Sequence, residues 1–175
     1  MVHVVLNERH LPEVVREVLV RCRHRLFLAT ADVKDLHVPD ESGRGARSVL
    51  DVLGELAERG VEVRLLHGGV PSGPFIERLK SLPSRRIGMR RCPRNHIKAV
   101  IADSVWMYIG SANLTGAGLG AKGKHRRNFE AGICADRPEL IDPVLDMLDD
   151  VWTGGRCAEC ERREHCPAPL EEPEL

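Results

Sequence analysis

Two kinds of hydrophobic pattern follow one another along the chain. Short, almost wholly apolar runs are typical of buried strands, and segments with an apolar residue at every third or fourth position are typical of helices packed on a sheet. The first pattern predicts strands over 25–31, 61–66, 87–91, 96–102, 105–109 and 128–135. The second pattern predicts helices over 14–19, 46–59, 75–82 and 139–152.

Turn-forming residues separate these segments. The stretch 39–45 is polar, Gly60 occupies a helix C-cap position, and Asp103 with Ser104 predicts a tight turn between two strands. Because helices separate most of the strands and one hairpin lies among them, we expect an α/β fold, a mixed β-sheet flanked by helices. A catalytic domain is expected over 1–152 and a cysteine-rich tail over 153–175.

Composition favours one soluble domain with an uneven distribution of charge. Of the 175 residues 42% are hydrophobic and 30% charged, and 26 basic residues balance 26 acidic ones. The segment 80–127 is nevertheless cationic, with Asp103 as its only acid, whereas 136–175 is mainly acidic. A cationic block favours a polyanionic ligand. The sequence has neither a signal-peptide pattern nor 18 apolar residues in a row, so we expect a cytoplasmic protein without a membrane anchor.

The cationic block contains a set of residues suited to phosphodiester chemistry. His96 and Lys98 lie two positions apart, Asp103 follows after four residues, and Gly110, Ser111 and Asn113 follow after six more. Side chains two apart share one face of a strand, so a hairpin would bring both pairs together. A neutral imidazole can attack phosphorus, while Lys98 and Asn113 can bind the non-bridging oxygens. Asp103 lies at an odd offset from His96, which predicts a structural role in the turn.

These spacings resemble the active-site signature of the phospholipase D superfamily, and Asn128-Phe129-Glu130 resembles the element that follows it in that family. The resemblance implies that His96 is the nucleophile and that Lys98 and Asn113 bind phosphate. It also implies that Ser111 assists as a hydrogen-bond donor and that Glu130 fixes the imidazole tautomer. No metal is needed for such a reaction.

The family reaction uses two histidines, and this chain carries the signature once. The resemblance therefore implies a homodimer in which two copies of His96 meet across a twofold axis.

Three cysteines in the tail predict a metal site. Cys157, Cys160 and Cys166 have a Cys-x2-Cys-x5-Cys spacing that resembles the end of the iron–sulfur loop of endonuclease-III-type DNA glycosylases. The first cysteine of that loop is absent, and Cys92 is the candidate fourth ligand. A 4Fe–4S cluster is the first interpretation; zinc, with His165 as a further possible ligand, is the alternative. Cys22 and Cys134 lie in apolar segments and are expected to be buried thiols.

The predicted function is a nuclease for DNA or RNA. Cations near the signature would bind the nucleic-acid backbone, and the candidates are Arg91, Arg94, Lys122, Lys124, Arg126 and Arg127. Two alternatives stay open: a phospholipase or phosphatidyltransferase, and a non-catalytic nucleic-acid-binding module.

Overall fold

The computed structural model describes residues 1–34, 36–39, 45–82, 86–162, 164 and 166, so most of the predicted turn over 39–45 and the candidate ligand His165 lie outside the described residues. The strands are β1 (Val2–Leu6), β2 (Arg25–Thr30), β3 (His37–Pro39), β4 (Ala46–Ser48), β5 (Glu62–His67), β6 (Ile87–Arg91), β7 (Ala99–Ala102), β8 (Trp106–Gly110) and β9 (Ala131–Ala135). The α-helices are α1 (Glu17–Arg21), which continues a π-helical segment over Leu11–Arg16, α2 (Val49–Glu58), α3 (Gly73–Lys80) and α4 (Pro138–Thr153).

Seven of the described strands form one mixed sheet in the order β1-β9-β8-β7-β2-β5-β6, and β3 pairs with β4 separately. Strands β2, β5 and β6 run parallel to one another, whereas β1, β9, β8, β7 and β2 pair antiparallel in turn. The predicted α/β fold with one hairpin among helix-separated strands is therefore confirmed.

Each face of the sheet carries its own apolar core. Side chains of α1, α2 and α3 pack on one face, around Leu26, Leu65 and Tyr108. Helix α4 packs on the other face with Ile141, Leu148 and Trp152, and it covers the middle of the sheet. None of the helices in the described part of the chain has the length and apolarity needed to span a bilayer.

Several predicted boundaries were wrong, and local hydrogen bonds explain two of them. Residues 46–48 form a strand, because the Ser48 side chain accepts a hydrogen bond from the Leu50 amide and starts the helix only at Val49. The strand predicted from His96 begins at Ala99, since the Asn95 side chain holds the preceding segment in another conformation. The strand predicted from Asn128 begins at Ala131. Strands β1, β3 and β4 were not predicted.

Asp103 forms the turn between β7 and β8, as predicted. Asp103 and Ser104 have φ of 53° and 59°, in the left-handed region that aspartate tolerates better than most residues. The Asp103 carboxylate accepts hydrogen bonds from the backbone amides of Arg23, His24 and Arg25 at 2.7, 2.8 and 2.9 Å. Burial alone would raise the pKa of Asp103, but these three donors hold it below its usual value.

Candidate active site

The signature residues gather at one edge of the sheet. His96 and Lys98 precede β7, Ser111 and Asn113 follow β8, and Glu130 precedes β9. Because these strands are antiparallel neighbours, the start of β7, the end of β8 and the start of β9 coincide. The Gly110 amide donates to the Lys98 carbonyl at 3.1 Å and thereby extends the hairpin to the site.

His96 and Lys98 contact each other directly. The Lys98 Nζ lies 3.0 Å from His96 Nδ1, 3.2 Å from Nε2 and 2.8 Å from the His96 carbonyl oxygen. A neutral imidazole accepts this hydrogen bond through the nitrogen that lacks a proton. His96 is exposed, whereas Lys98 is only 9% exposed. Burial lowers the pKa of Lys98, and the nearby Glu130 carboxylate partly opposes that shift.

Asn113 is oriented by the end of β2. Its side-chain oxygen lies 3.1 Å from the amides of Ala31 and Asp32, which donate to it, and 3.2 Å from the Thr30 hydroxyl. Backbone amides can only donate, so this environment fixes which end of the side chain is the oxygen. No described residue accepts a hydrogen bond from the NH2 group, which can therefore donate to a ligand.

Ser111 and Glu130 form a second pair. The Ser111 hydroxyl donates to the Glu130 carboxylate and accepts a hydrogen bond from the Ala131 amide. The Asn128 side chain donates to the same carboxylate at 3.0 Å. Within the described residues no hydrogen bond joins Glu130 to His96, so the role of Glu130 in fixing the imidazole tautomer stays a prediction.

Three supporting residues escaped the sequence analysis. Asn95, 7% exposed, donates to the carbonyls of Thr30 and Leu66 at the ends of β2 and β5, and so holds the segment that leads to His96. The Thr30 hydroxyl accepts from the Leu114 amide. Asn7, at φ 49°, accepts a hydrogen bond from the Glu130 amide and donates one to the Glu130 carbonyl. In the sequence, the only signal for these three residues is that each lies next to the end of a strand or next to the motif.

A family model described as "Cardiolipin synthase, PLD-like domain" matches residues 19–152. The chain belongs to this phospholipase D-like family. Members of the family act on phosphodiester bonds. No curated protein matches the sequence.

Several solved structures have a similar fold. Nuc from Salmonella typhimurium, described as a phospholipase D family member, has 18% identity and a TM-score of 0.62 over 87% of this chain and 94% of its own. NucT from Helicobacter pylori has 14% identity and a TM-score of 0.61 over 86% and 95%. Phosphatidylserine synthase from Haemophilus influenzae Rd KW20 has 15% identity and a TM-score of 0.57 over 86% and 38%. At these identities the likeness shows the fold.

The predicted backbone-binding cations form two groups along the chain, one before His96 and one between Asn113 and Glu130. Arg91 and Arg94 precede His96, and the Arg91 Nε lies 3.4 Å from the Gly68 carbonyl oxygen. The second group lies on the exposed loop that runs directly into Asn128 and Glu130, and it consists of Lys122, Lys124, Arg126 and Arg127.

The six cysteines of the phospholipase D-like chain fall into two environments. Cys22 and Cys134 are 1% exposed, as predicted, and burial raises the pKa of each thiol to about 12. Cys92, Cys157, Cys160 and Cys166 are partly exposed. Among the described residues no three potential ligands already surround a metal position.

Proposed function

We propose that this protein is a metal-independent phosphodiesterase that cleaves DNA or RNA as a homodimer. The observation that carries the proposal is the set of three groups at the sheet edge. An exposed imidazole, His96, lies beside the buried ammonium of Lys98, and the Asn113 amide is turned so that its NH2 group can donate. One nucleophile and two donors suit a phosphate ester.

The reaction would proceed in two displacements. In the first, a neutral His96 nitrogen forms a bond to phosphorus, and the phosphorus–oxygen bond to the leaving strand breaks. The leaving oxygen takes a proton from the imidazolium of the partner subunit's His96. In the second, that imidazole takes a proton from water, the water oxygen bonds to phosphorus, and the phosphorus–nitrogen bond breaks. Lys98 and Asn113 stabilise the non-bridging oxygens in both steps.

The loop at 122–127 favours nucleic acid as the substrate. Lys122, Lys124, Arg126 and Arg127 are exposed and lie within eight residues of Glu130. Side chains on such a loop can neutralise successive phosphates without reading bases. Binding should therefore weaken steeply with salt.

An exposed apolar face supports the homodimer. We use the name apolar face for seven side chains that are each more than a third exposed: Val2, Val4, Leu6, Phe129, Ile133, Leu140 and Met147. Val4 pairs with Ile133, which pairs with Ile109, so the face follows β1, β9 and β8 where α4 leaves the sheet uncovered. These exposed apolar side chains lie on neighbouring strands and are not scattered singly, and a continuous apolar patch of this kind suits an interface.

Helix α4 borders this face of the sheet. Asp149 bonds Arg64 on β5 at 2.8 Å, which turns one flank of α4 toward β5. Leu140 and Met147 lie about half a turn around the helix from Asp149 and so face the β9 side. A second copy could pack its own α4 against Leu140 and Met147 across a twofold axis. Phe129, 97% exposed and next to Glu130, extends the face to the catalytic edge, where two incomplete sites would meet.

The nuclease proposal is tested with labelled single- and double-stranded DNA and RNA in the presence of EDTA. Wild type should cleave at least one of them, and His96→Ala should not. His24→Ala, which alters an exposed histidine at the opposite end of β2, is the matched control and should cleave normally. Binding of nucleic acid without cleavage by the wild-type protein would refute the nuclease and favour the non-catalytic module.

The homodimer is tested by mixing wild type with His96→Ala at fixed total concentration after subunit exchange. If each site needs both copies of His96, activity should fall as the square of the wild-type fraction; a linear fall would contradict the shared site. In sedimentation, Val4→Asp should produce monomers. Val105→Asp, which changes a valine that is 64% exposed on the β7–β8 turn, should remain dimeric.

A phospholipase or phosphatidyltransferase is the second candidate, because the apolar face reaches the catalytic edge and could also contact lipid. Phospholipid vesicles assayed in parallel distinguish the two. Headgroup release without nucleic-acid cleavage would favour the lipid reaction.

A further inference from the structure

The end of α4 is fixed over β6. The Trp152 ring lies against Gly88, where an added Cβ would be 3.1 Å from the indole. The Arg90 guanidinium stacks 5.0 Å from the ring centroid and also donates to the Trp152 carbonyl at 2.6 Å. The segment that follows α4 therefore starts beside the strand that leads to Cys92.

From this anchor the tail turns back toward the catalytic segment. Gly154, at φ 84°, ends α4; the Cys157 amide then donates to the Gly154 carbonyl, and the Cys160 amide donates to the Cys157 carbonyl. These two turns bring Cys160 to Arg94, whose Nη1 lies 3.6 Å from its sulfur. Only Pro93 separates Cys92 from Arg94 along the chain, so Cys160 and the segment before His96 meet at one junction.

Cys92 is also held at this junction by the sheet. Its amide donates to the His67 carbonyl at 2.9 Å, its carbonyl accepts from the Asn95 amide at 2.8 Å, and its side chain packs on the α4 core. Asn95 in turn is bonded to the ends of β2 and β5. A ligand bound by Cys92 would therefore be linked rigidly to the backbone that positions His96.

We propose that Cys92, Cys157, Cys160 and Cys166 bind one thiophilic metal centre, zinc or an iron–sulfur cluster, that fastens the tail to the segment before His96. Four protein thiolates would close the coordination shell, so the centre is structural and leaves no position for substrate. The four proposed ligands are partly exposed, whereas Cys22 and Cys134, which are not proposed as ligands, are buried.

Loading requires a local rearrangement. Because no three potential ligands surround a metal position in the described residues, Cys157 and Cys160 must move toward Cys92 to bind the same ion. Four thiols lose their protons as they bind.

Metal content tests the proposal without reference to nuclease activity. The full chain is loaded in two ways, with zinc chloride alone and, under anaerobic conditions, with iron and sulfide. One of these should give about one zinc ion or one coloured cluster per chain and should protect four thiols from a thiol reagent. Cys92→Ser and Cys160→Ser should each lose most of the bound metal, and Cys22→Ser should keep it as the matched control.

Two results would overturn this ligand set. Full metal content in Cys92→Ser would remove Cys92 from it, and loss of metal in His165→Ala together with retention in Cys92→Ser would assign three cysteines and a histidine instead. Failure to bind either metal, with four thiols still reactive, would reject the centre altogether. Because circular dichroism can verify folding of each variant, a folding failure is separable from loss of a ligand.

Discussion

Replacing Asp103 should lower stability without removing the proposed chemistry, although this residue lies within the signature that resembles a phospholipase D active site. Its carboxylate accepts three backbone hydrogen bonds at the far end of β7 from His96. Arg23 and His24 are exposed, so water can replace part of what is lost, and each bond contributes less than about 1 kcal/mol. The left-handed φ adds about 1 kcal/mol for alanine. Asp103→Ala should therefore cost about 3 kcal/mol.

The Asp103→Asn variant separates the effect of the hydrogen bonds on stability from the effect of the charge. Asp103 Oδ1 accepts from His24 and Arg25, and Asp103→Asn can keep both, losing only the bond from Arg23 to Oδ2. Asparagine also tolerates the left-handed conformation. We expect a cost of about 1 kcal/mol. In thermal melts this corresponds to a fall in Tm of about 2 to 4 °C for asparagine and about 6 to 12 °C for alanine.

The dependence on pH gives a further check. Because the pKa of Asp103 is lower in the folded protein, its charge stabilises the fold above the unfolded pKa of about 4. That contribution is lost as the pH falls through the folded pKa, so wild type and Asp103→Asn should converge in acid. Activity of both variants, measured well below their Tm, should match wild type. An inactive Asp103→Asn with an unchanged Tm would refute the structural assignment.

Three further outcomes are expected. Thr30→Val removes the buried hydroxyl next to Asn113, and it should lower kcat roughly tenfold with little change in substrate affinity, measured by steady-state kinetics. Gly132→Ala puts a Cβ 2.3 Å from the buried Tyr108 ring and should cost about 2 to 3 kcal/mol in denaturant unfolding. Lys124→Gln should reduce by about 1 the slope of log affinity for nucleic acid against log salt; an unchanged slope would remove Lys124 from the interface.

The sequence predicted the sheet well at its mostly buried strands. The segments at 25–31 and 61–66 correspond closely to β2 and β5, where all but one and two residues, respectively, are buried. The segment at 87–91 also matches the edge strand β6, of which only Ile87 and Met89 are buried. Strand β1 was missed because only Val5 is fully buried on it, and the strand depends on pairing with β9 across the chain. Such long-range pairing leaves no periodicity in a short segment.

The sequence could predict that the candidate site residues lie together, but it could not predict the residues that support them. Spacing indicated His96, Lys98 and Asn113, and the structure brings them to one edge through the β7–β8 hairpin. The predicted strand face shared by His96 and Lys98 does not exist, since both precede β7; a direct side-chain contact brings them together instead. Thr30 and Asn95 act through buried hydrogen bonds to strand ends that are distant in sequence.

The pairing of β1 with β9 also sets the order in which the site can form during synthesis. Val2 to Leu6 leave the ribosome well before residues 131–135, to which they bond, and Asn7 can hold Glu130 only after those later residues have emerged. Closing a loop of this length makes the pairing a slow, late event in folding. A nascent chain that already carries His96 and Lys98 therefore still lacks the hydrogen bonds between Asn7 and Glu130. Any activity that needs the Glu130 carboxylate can begin only after nearly all strands of the sheet have left the ribosome.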